Sequence, residues 1–204
     1  RDHRLRREPP ARVACEQDDD EEHQRELEGA EVAHALGRSH HRGNGGPAGT
    51  RRVDAARLPE NGEEVRLIPA PVTHTDGDTF VKFVNADVIM TGDFYRSIQY
   101  PNIDRNNGGS LPGLINALNA VIANAGPNTK ILPGHGPIVD RAAVTAHRDI
   151  VIALRDKVAA LVRDGKTQEQ AVAAKPTAEF DAKVQQAGTT GDRFVGQLYA
   201  ELKK

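Results

Sequence analysis

The chain has 204 residues, with 27 Lys and Arg against 29 Asp and Glu for a formal charge of −2. That length holds one domain, or one domain with a tail, and the near-neutral balance offers no basic field for nucleic acid. No run approaches the ~20 apolar residues that span a bilayer, and the single cysteine, Cys15, excludes an internal disulfide framework and a cysteine-based structural zinc site.

Composition breaks sharply near residue 60. All eight aromatics, all ten Ile and the only Met, Met90, lie after it, whereas residues 1–60 carry eleven Arg and no Lys. Four Leu and three Val in those sixty residues are too few to offset the ordering entropy of a core. Residues 1–60 are therefore expected to form an irregular arm, with an acidic knot at Asp18–Glu22 and a Gly-rich linker at Arg42–Gly49. A second reading is out-of-frame translation of a GC-rich gene. Codons compatible with Arg1–Arg7, read one base later, encode an Ala-Thr-Ile-Val-Tyr run that suits a buried strand. Both readings leave 61–204 as the folded part.

From Asn61 the elements follow in order. Asn61–Gly62 is a hairpin signal before an apolar stretch, Val65–Pro71. Thr79–Val84 is β-branched and aromatic, and a turn at Asn85–Asp87 leads into a strand at Val88–Met90. Ser110 is placed to cap a helix with Pro112 in its first turn and Leu114, Ile115, Leu118, Val121 and Ile122 at helical spacing. A short strand, Lys130–Leu132, follows. Asp140 then caps a long helix with Val144, Val151, Leu154, Val158 and Leu161 on its apolar face, stopped near Gly165. Thr167 with Gln170 makes a capping box, and short helices run to Lys204. This order predicts α/β layers, with helices packed on a sheet.

Three polar clusters interrupt the pattern: His74–Thr75–Asp76–Gly77–Asp78, Thr91–Gly92–Asp93 and Pro133–Gly134–His135–Gly136. Loops at strand ends are where a scaffold presents functional groups. Imidazole nitrogen and carboxylate oxygen are zinc ligands at ~2.0–2.2 Å, and neighbouring glycines let backbone bend closely around an ion. Each cluster alone also reads as an ordinary turn. The ordered triplet, each member beside its own strand, is what points to a metal site.

In that order the clusters resemble those of the metallo-β-lactamase-fold hydrolases, with His74 in the H-T-x-G-D type loop, Asp93 in T-G-D and His135 in P-G-H-G. The spacings of 19 and 42 residues are in keeping with the family, and the resemblance covers about residues 61–164. It implies an αββα sandwich, of which this chain carries only the C-terminal half behind the irregular arm. It also implies two zinc ions in the intact protein. His74 would complete the first site, Asp93 would bridge both metals as the catalytic residue, and His135 would bind the second. Thr75, Asp76, Asp78 and Thr91 are candidates to orient these ligands by hydrogen bonds. The implied chemistry is hydrolysis of a small-molecule β-lactam, thioester, lactone or similar ester or amide by metal-activated water; the neutral charge balance, few aromatics and lack of a long apolar run lead us to expect neither nucleic acid nor membrane as partner.

The family's H-x-H-x-D-H motif is absent from all 204 residues, and His40–His41 has the wrong spacing to replace it. The motif is expected upstream of Arg1, where any signal peptide would also lie, so zinc binding by this chain is expected to be weak or absent. Asp76–Gly77–Asp78–Thr79 superficially suggests a haloacid-dehalogenase-like phosphatase, but its D-x-D-G-T order is not met. A non-catalytic truncated product, or an interaction module using the helix of residues 140–164, is the alternative from another class. Tyr95, Arg96, Tyr100 and Arg105 follow Asp93 closely and are candidates to line a pocket.

Overall fold

The computed structural model describes residues 56–184 and 188–203. The acidic knot, the Gly-rich linker, the frame question and the His40–His41 pair lie outside the described residues.

Five strands form one sheet in sequence order. These are β1 (Ala56–Glu60), β2 (Glu63–Pro69), β3 (Thr79–Phe83), β4 (Val88–Arg96) and β5 (Lys130–His135). Asn61 and Gly62 close the β1–β2 hairpin, both with positive φ as a primed two-residue turn demands. β1 to β4 pair antiparallel, and β5 joins β4 in parallel. One expectation needs correcting: the sheet begins at Ala56, inside the segment expected to be irregular to residue 60. Composition missed β1 because its partner β2, not its own apolar content, holds it in place through Ala56↔Leu67 to Glu60↔Glu63 pairing.

A parallel step requires a crossover, and α1 (Leu111–Asn124) supplies it. Ser110 caps α1, its hydroxyl oxygen accepting from the Gly113 N–H at 3.1 Å. Leu111, Leu114, Ala117, Leu118 and Val121 form the buried stripe. α2 (Arg141–Arg163) is capped by Asp140, which accepts from the Ala143 N–H at 2.8 Å, a cap worth ~1 kcal/mol. Its buried positions, Val144, His147, Val151, Leu154 and Val158, alternate in steps of three and four, the stripe of an amphipathic helix. This stripe packs in the core, where α2 lies against α1 and α4. α3 (Gln168–Ala173) carries the expected capping box in full, and α4 (Gly191–Leu202) closes the described chain. No helix among the described residues is long and apolar enough to cross a membrane.

The register puts Phe80, Ile89 and Ile131 on one face of the sheet, fully buried in a core shared with α1, α2 and α4. Leu67, Val81, Phe83, Val88, Met90 and Leu132 lie on the other face; none belongs to that core, and Met90 is 43% exposed. The result is one sheet with helices on one side, half of a layered sandwich.

His147 is the polar member of the α2 stripe. Its ring stands edge-on to Tyr95 with centroids 5.1 Å apart, and its Nε2 has no hydrogen-bond partner. Desolvation lowers its pKa to about 4. Between about pH 6.5 and 4 the unfolded chain takes up a proton that the folded chain refuses, so stability falls as pH falls through that window, by up to about 3 kcal/mol. Urea midpoints measured from neutral pH down to pH ~4.5 should show this slope, and His147→Leu should flatten it. An unchanged slope in the variant would contradict the assignment.

Candidate metal centre

The antiparallel meander turns β2 upward, β3 downward and β4 upward again, and β5 runs with β4. The Ala70–Asp78 loop after β2 and the C-terminal ends of β4 and β5 therefore lie at one end of the sheet. His74 stands in the loop. Asp93 lies within β4 and His135 is the last residue of β5. The sequence suggested that β4 stops at Met90, but it runs on to Arg96 through register shifts at Gly92, which has φ 62°. Such a bulge turns a strand residue toward a site.

Asp93 and His135 meet there. Asp93 Oδ1 is 3.2 Å from His135 Nε2, while Asp93 Oδ2 accepts from Arg96 Nη2 at 2.8 Å. Gly134 makes this approach feasible: a Cβ at that position would lie 2.4 Å from Asp93 Oδ1 and 2.7 Å from the Gly92 carbonyl. The glycine before His135 thus has a steric reason, beyond its place in a motif.

His74 is held by backbone on both sides. Its Nδ1 is 2.6 Å from the Asn102 carbonyl oxygen, and its own carbonyl accepts from the Asp104 N–H at 2.9 Å. A carbonyl oxygen can only accept, so Nδ1 carries the proton, and in the neutral ring Nε2 keeps a free lone pair. Metal-binding imidazoles are commonly fixed through the opposite nitrogen in this way. The loop is strained to achieve it. Val72, a β-branched residue, sits at φ 62°, and its carbonyl is gripped by the Ser110 N–H at 3.1 Å and the Ser110 hydroxyl at 2.8 Å.

The other candidates fall into place around this frame. Asp78 accepts from the Thr73 hydroxyl and, at 2.7 Å, from the Thr75 N–H, so its carboxylate shapes the loop. Asp76 is exposed, and its N–H donates to the Asn107 carbonyl. Thr91 is buried, its hydroxyl directed at the Leu132 carbonyl at 3.3 Å, bracing β4 to β5. Two of the pocket candidates need correcting. Tyr95 is buried against His147, its pKa raised to about 12 by desolvation and the Asp140 charge. Tyr100 is buried in a stack on Phe194 and donates to Asp181 Oδ1 at 2.8 Å. Their place just after Asp93 in sequence suggests a pocket lining, but their apolar area is spent in the core. Arg96 is engaged by Asp93. Arg105 pairs with Glu201 at 2.9 Å and lines an open cleft of about 630 Å³ with Asn102, Arg193 and Gln197.

Two donors at ~2.0–2.1 Å from a tetrahedral ion stand roughly 3.3 Å apart, and the Asp93–His135 contact of 3.2 Å matches that spacing. Donor type and mutual geometry fit zinc. The number of donors falls short: among the described residues no group of three or more His, Cys, Asp or Glu is placed to hold a metal ion. Sequence reasoning missed Asn102 and Gln197, because a backbone carbonyl and an isolated amide leave no motif.

No protein-family model and no curated protein matches the chain. Among solved structures, it is similar to a stereoselective inverting sec-alkylsulfatase from Pseudomonas sp., with a TM-score of 0.61 and 13% identity over 71% of this chain. The chain spans 25% of that protein's length. A double mutant of the same sulfatase gives a TM-score of 0.58. A metallo-β-lactamase from Pontibacter korlensis gives 0.43 at 15% identity, over 49% of this chain and 46% of that one. At these identities the likeness is one of fold. The chain shares its fold with part of the sec-alkylsulfatase.

The close approach at Gly134 generates a test. In Gly134→Ala the added methyl must displace the Asp93 carboxylate or part β4 from β5, costing about 1–3 kcal/mol as overpacking does. Denaturant unfolding measures that loss. The His135 ring resonances should shift in the folded fraction, because the Asp93 contact is broken. A variant as stable as the parent, with unmoved His135 signals, would contradict the geometry.

Proposed function

We propose that this chain is the C-terminal part of a zinc-dependent hydrolase of the metallo-β-lactamase fold, and that His74, Asp93 and His135 are its contribution to the metal centre. The observation that carries the reading is the Asp93–His135 contact at the shared end of two parallel strands. The locked His74 tautomer and the fold likeness support it. A bound zinc would supply water activation near neutral pH and polarise a carbonyl or comparable electrophile.

The protein's own groups do the positioning. His135 and Asp93 would hold the ion through Nε2 and Oδ1, and Arg96 fixes the second carboxylate oxygen. His74 would contribute Nε2 from the loop that Asp78 and Ser110 keep in shape. With three donors in all, neither of two ions would have a full protein set. A catalytic zinc normally keeps three protein ligands, so ions held by this chain alone would be poorly aimed, and reaction rate depends on that aim. The substrate class is a small molecule with a hydrolysable bond: a β-lactam, thioester, lactone or similar ester or amide.

The experiment compares the 204-residue chain with a version extended upstream. Zinc content by elemental analysis, and hydrolysis of a β-lactam, a lactone and a glutathione thioester, are measured on both. The short chain is expected to hold substoichiometric zinc and to turn nothing over. The extended chain is expected to hold zinc and hydrolyse at least one substrate, and Asp93→Asn or His135→Ala should abolish both properties. Stoichiometric zinc and zinc-dependent turnover by the short chain would show that it completes the site unaided.

A further inference from the structure

We propose that Gln197, on the C-terminal helix α4, is a positioning residue for His74. Gln197 grips the Asn102–Ile103 unit with both ends of its amide. Its Nε2 donates to Asn102 Oδ1 at 2.8 Å, and its Oε1 accepts from the Ile103 N–H at 3.2 Å. The peptide between those two contacts carries the Asn102 carbonyl that takes the His74 Nδ1 proton at 2.6 Å. Two residues on, the Asp104 N–H returns to the His74 carbonyl at 2.9 Å. Residue 74 is thus clamped front and back by the 102–104 segment, and that segment is held from α4.

One helical turn after Gln197, on the same face of α4, Glu201 secures the continuation of the segment. Its buried carboxylate pairs with Arg105 at 2.9 Å and lies 3.4 Å from the Leu111 N–H at the start of α1. The clamp has little slack. A Cβ at Gly109 would lie 2.2 Å from the His74 carbonyl oxygen and 2.9 Å from the Asp104 nitrogen. A neutral histidine side chain in water favours the proton on Nε2, so holding it on Nδ1 needs an acceptor fixed in direction as well as distance. Gln197 supplies that fixity from a helix rather than from a loop. The consequence is a ring that always presents the Nε2 lone pair. The effect on the tautomer stands on the geometry alone, while its importance for metal binding rests on the reading of His74 as a ligand.

The test is long-range proton–nitrogen NMR of the histidine rings in the metal-stripped, nitrogen-15-labelled chain. Spectra are recorded at about pH 8.5, where an ordinary imidazole is neutral, and His74→Gln identifies the signal. The parent should show His74 as the Nδ1–H tautomer. Gln197→Met, of similar length but without either hydrogen bond, should move His74 to a mixture rich in the Nε2–H form and leave His135 and His147 unchanged. If Gln197→Met does not fold, Asn102→Ala removes the Oδ1 contact alone and should shift His74 in the same direction by a smaller amount. In the upstream-extended chain, Gln197→Met should weaken zinc affinity roughly 10–100-fold, as loss of a group orienting a ligand does. An Nδ1–H tautomer that survives in a folded variant overturns the proposal whether or not the protein binds zinc. A shifted tautomer in an extended chain that takes up no zinc sustains the positioning role and overturns the metal reading.

Discussion

The contact between the ends of β4 and β5 sets the terms for the rest of the molecule. Two parallel strands bring Asp93 and His135 side by side only if β4 shifts register at Gly92 and residue 134 has no side chain. Parallel pairing in turn demands a crossover, and α1 provides it between Ser110 and Ala125. The start of α1 then becomes a fixed point for something else. The Ser110 N–H and hydroxyl hold the Val72 carbonyl, which stabilises a positive-φ valine and so the whole His74 loop. One steric requirement in the sheet thereby propagates through a helix cap to the loop between β2 and β3.

The two imidazoles are controlled by different means. His135 sits on a strand end, half exposed, and its direction follows from β5 and the carboxylate beside it. His74 sits on a loop, where backbone freedom would blur its aim. The protein compensates with a dense set of backbone and side-chain hydrogen bonds from Asp78, Asn102, Asp104 and Ser110. Polar contacts of this kind rigidify because each partner is satisfied in one arrangement only.

The elements were largely readable because their signals are local. Ser110, Asp140 and Thr167 cap helices by contacts three residues away, and Asn61–Gly62 closes its own hairpin. The polar clusters around His74, Asp93 and His135 were equally visible, because they interrupt the apolar pattern of the strands. What escaped was set at long range. Strand β1 exists through its pairing with β2, and the extension of β4 past Met90 depends on β5. Tyr95 and Tyr100 looked like pocket residues until packing consumed them. The Gln197–Asn102 contact joins residues 95 apart through chemistry that carries no pattern.

Arg96 bears on how Asp93 can serve. The resemblance implies a carboxylate shared by two ions, but here one oxygen faces His135 and the other is taken by a guanidinium whose side chain is only 12% exposed. Arg96 also directs its Nε toward the Asp93 carbonyl at 3.4 Å, so it is fastened to the same residue twice. In the absence of a cation this arrangement neutralises the carboxylate and holds Oδ1 in place without repulsion. The ion pair itself is a modest constraint, because the Asp93 side chain is 42% exposed and solvent screens such pairs to ~1 kcal/mol or less.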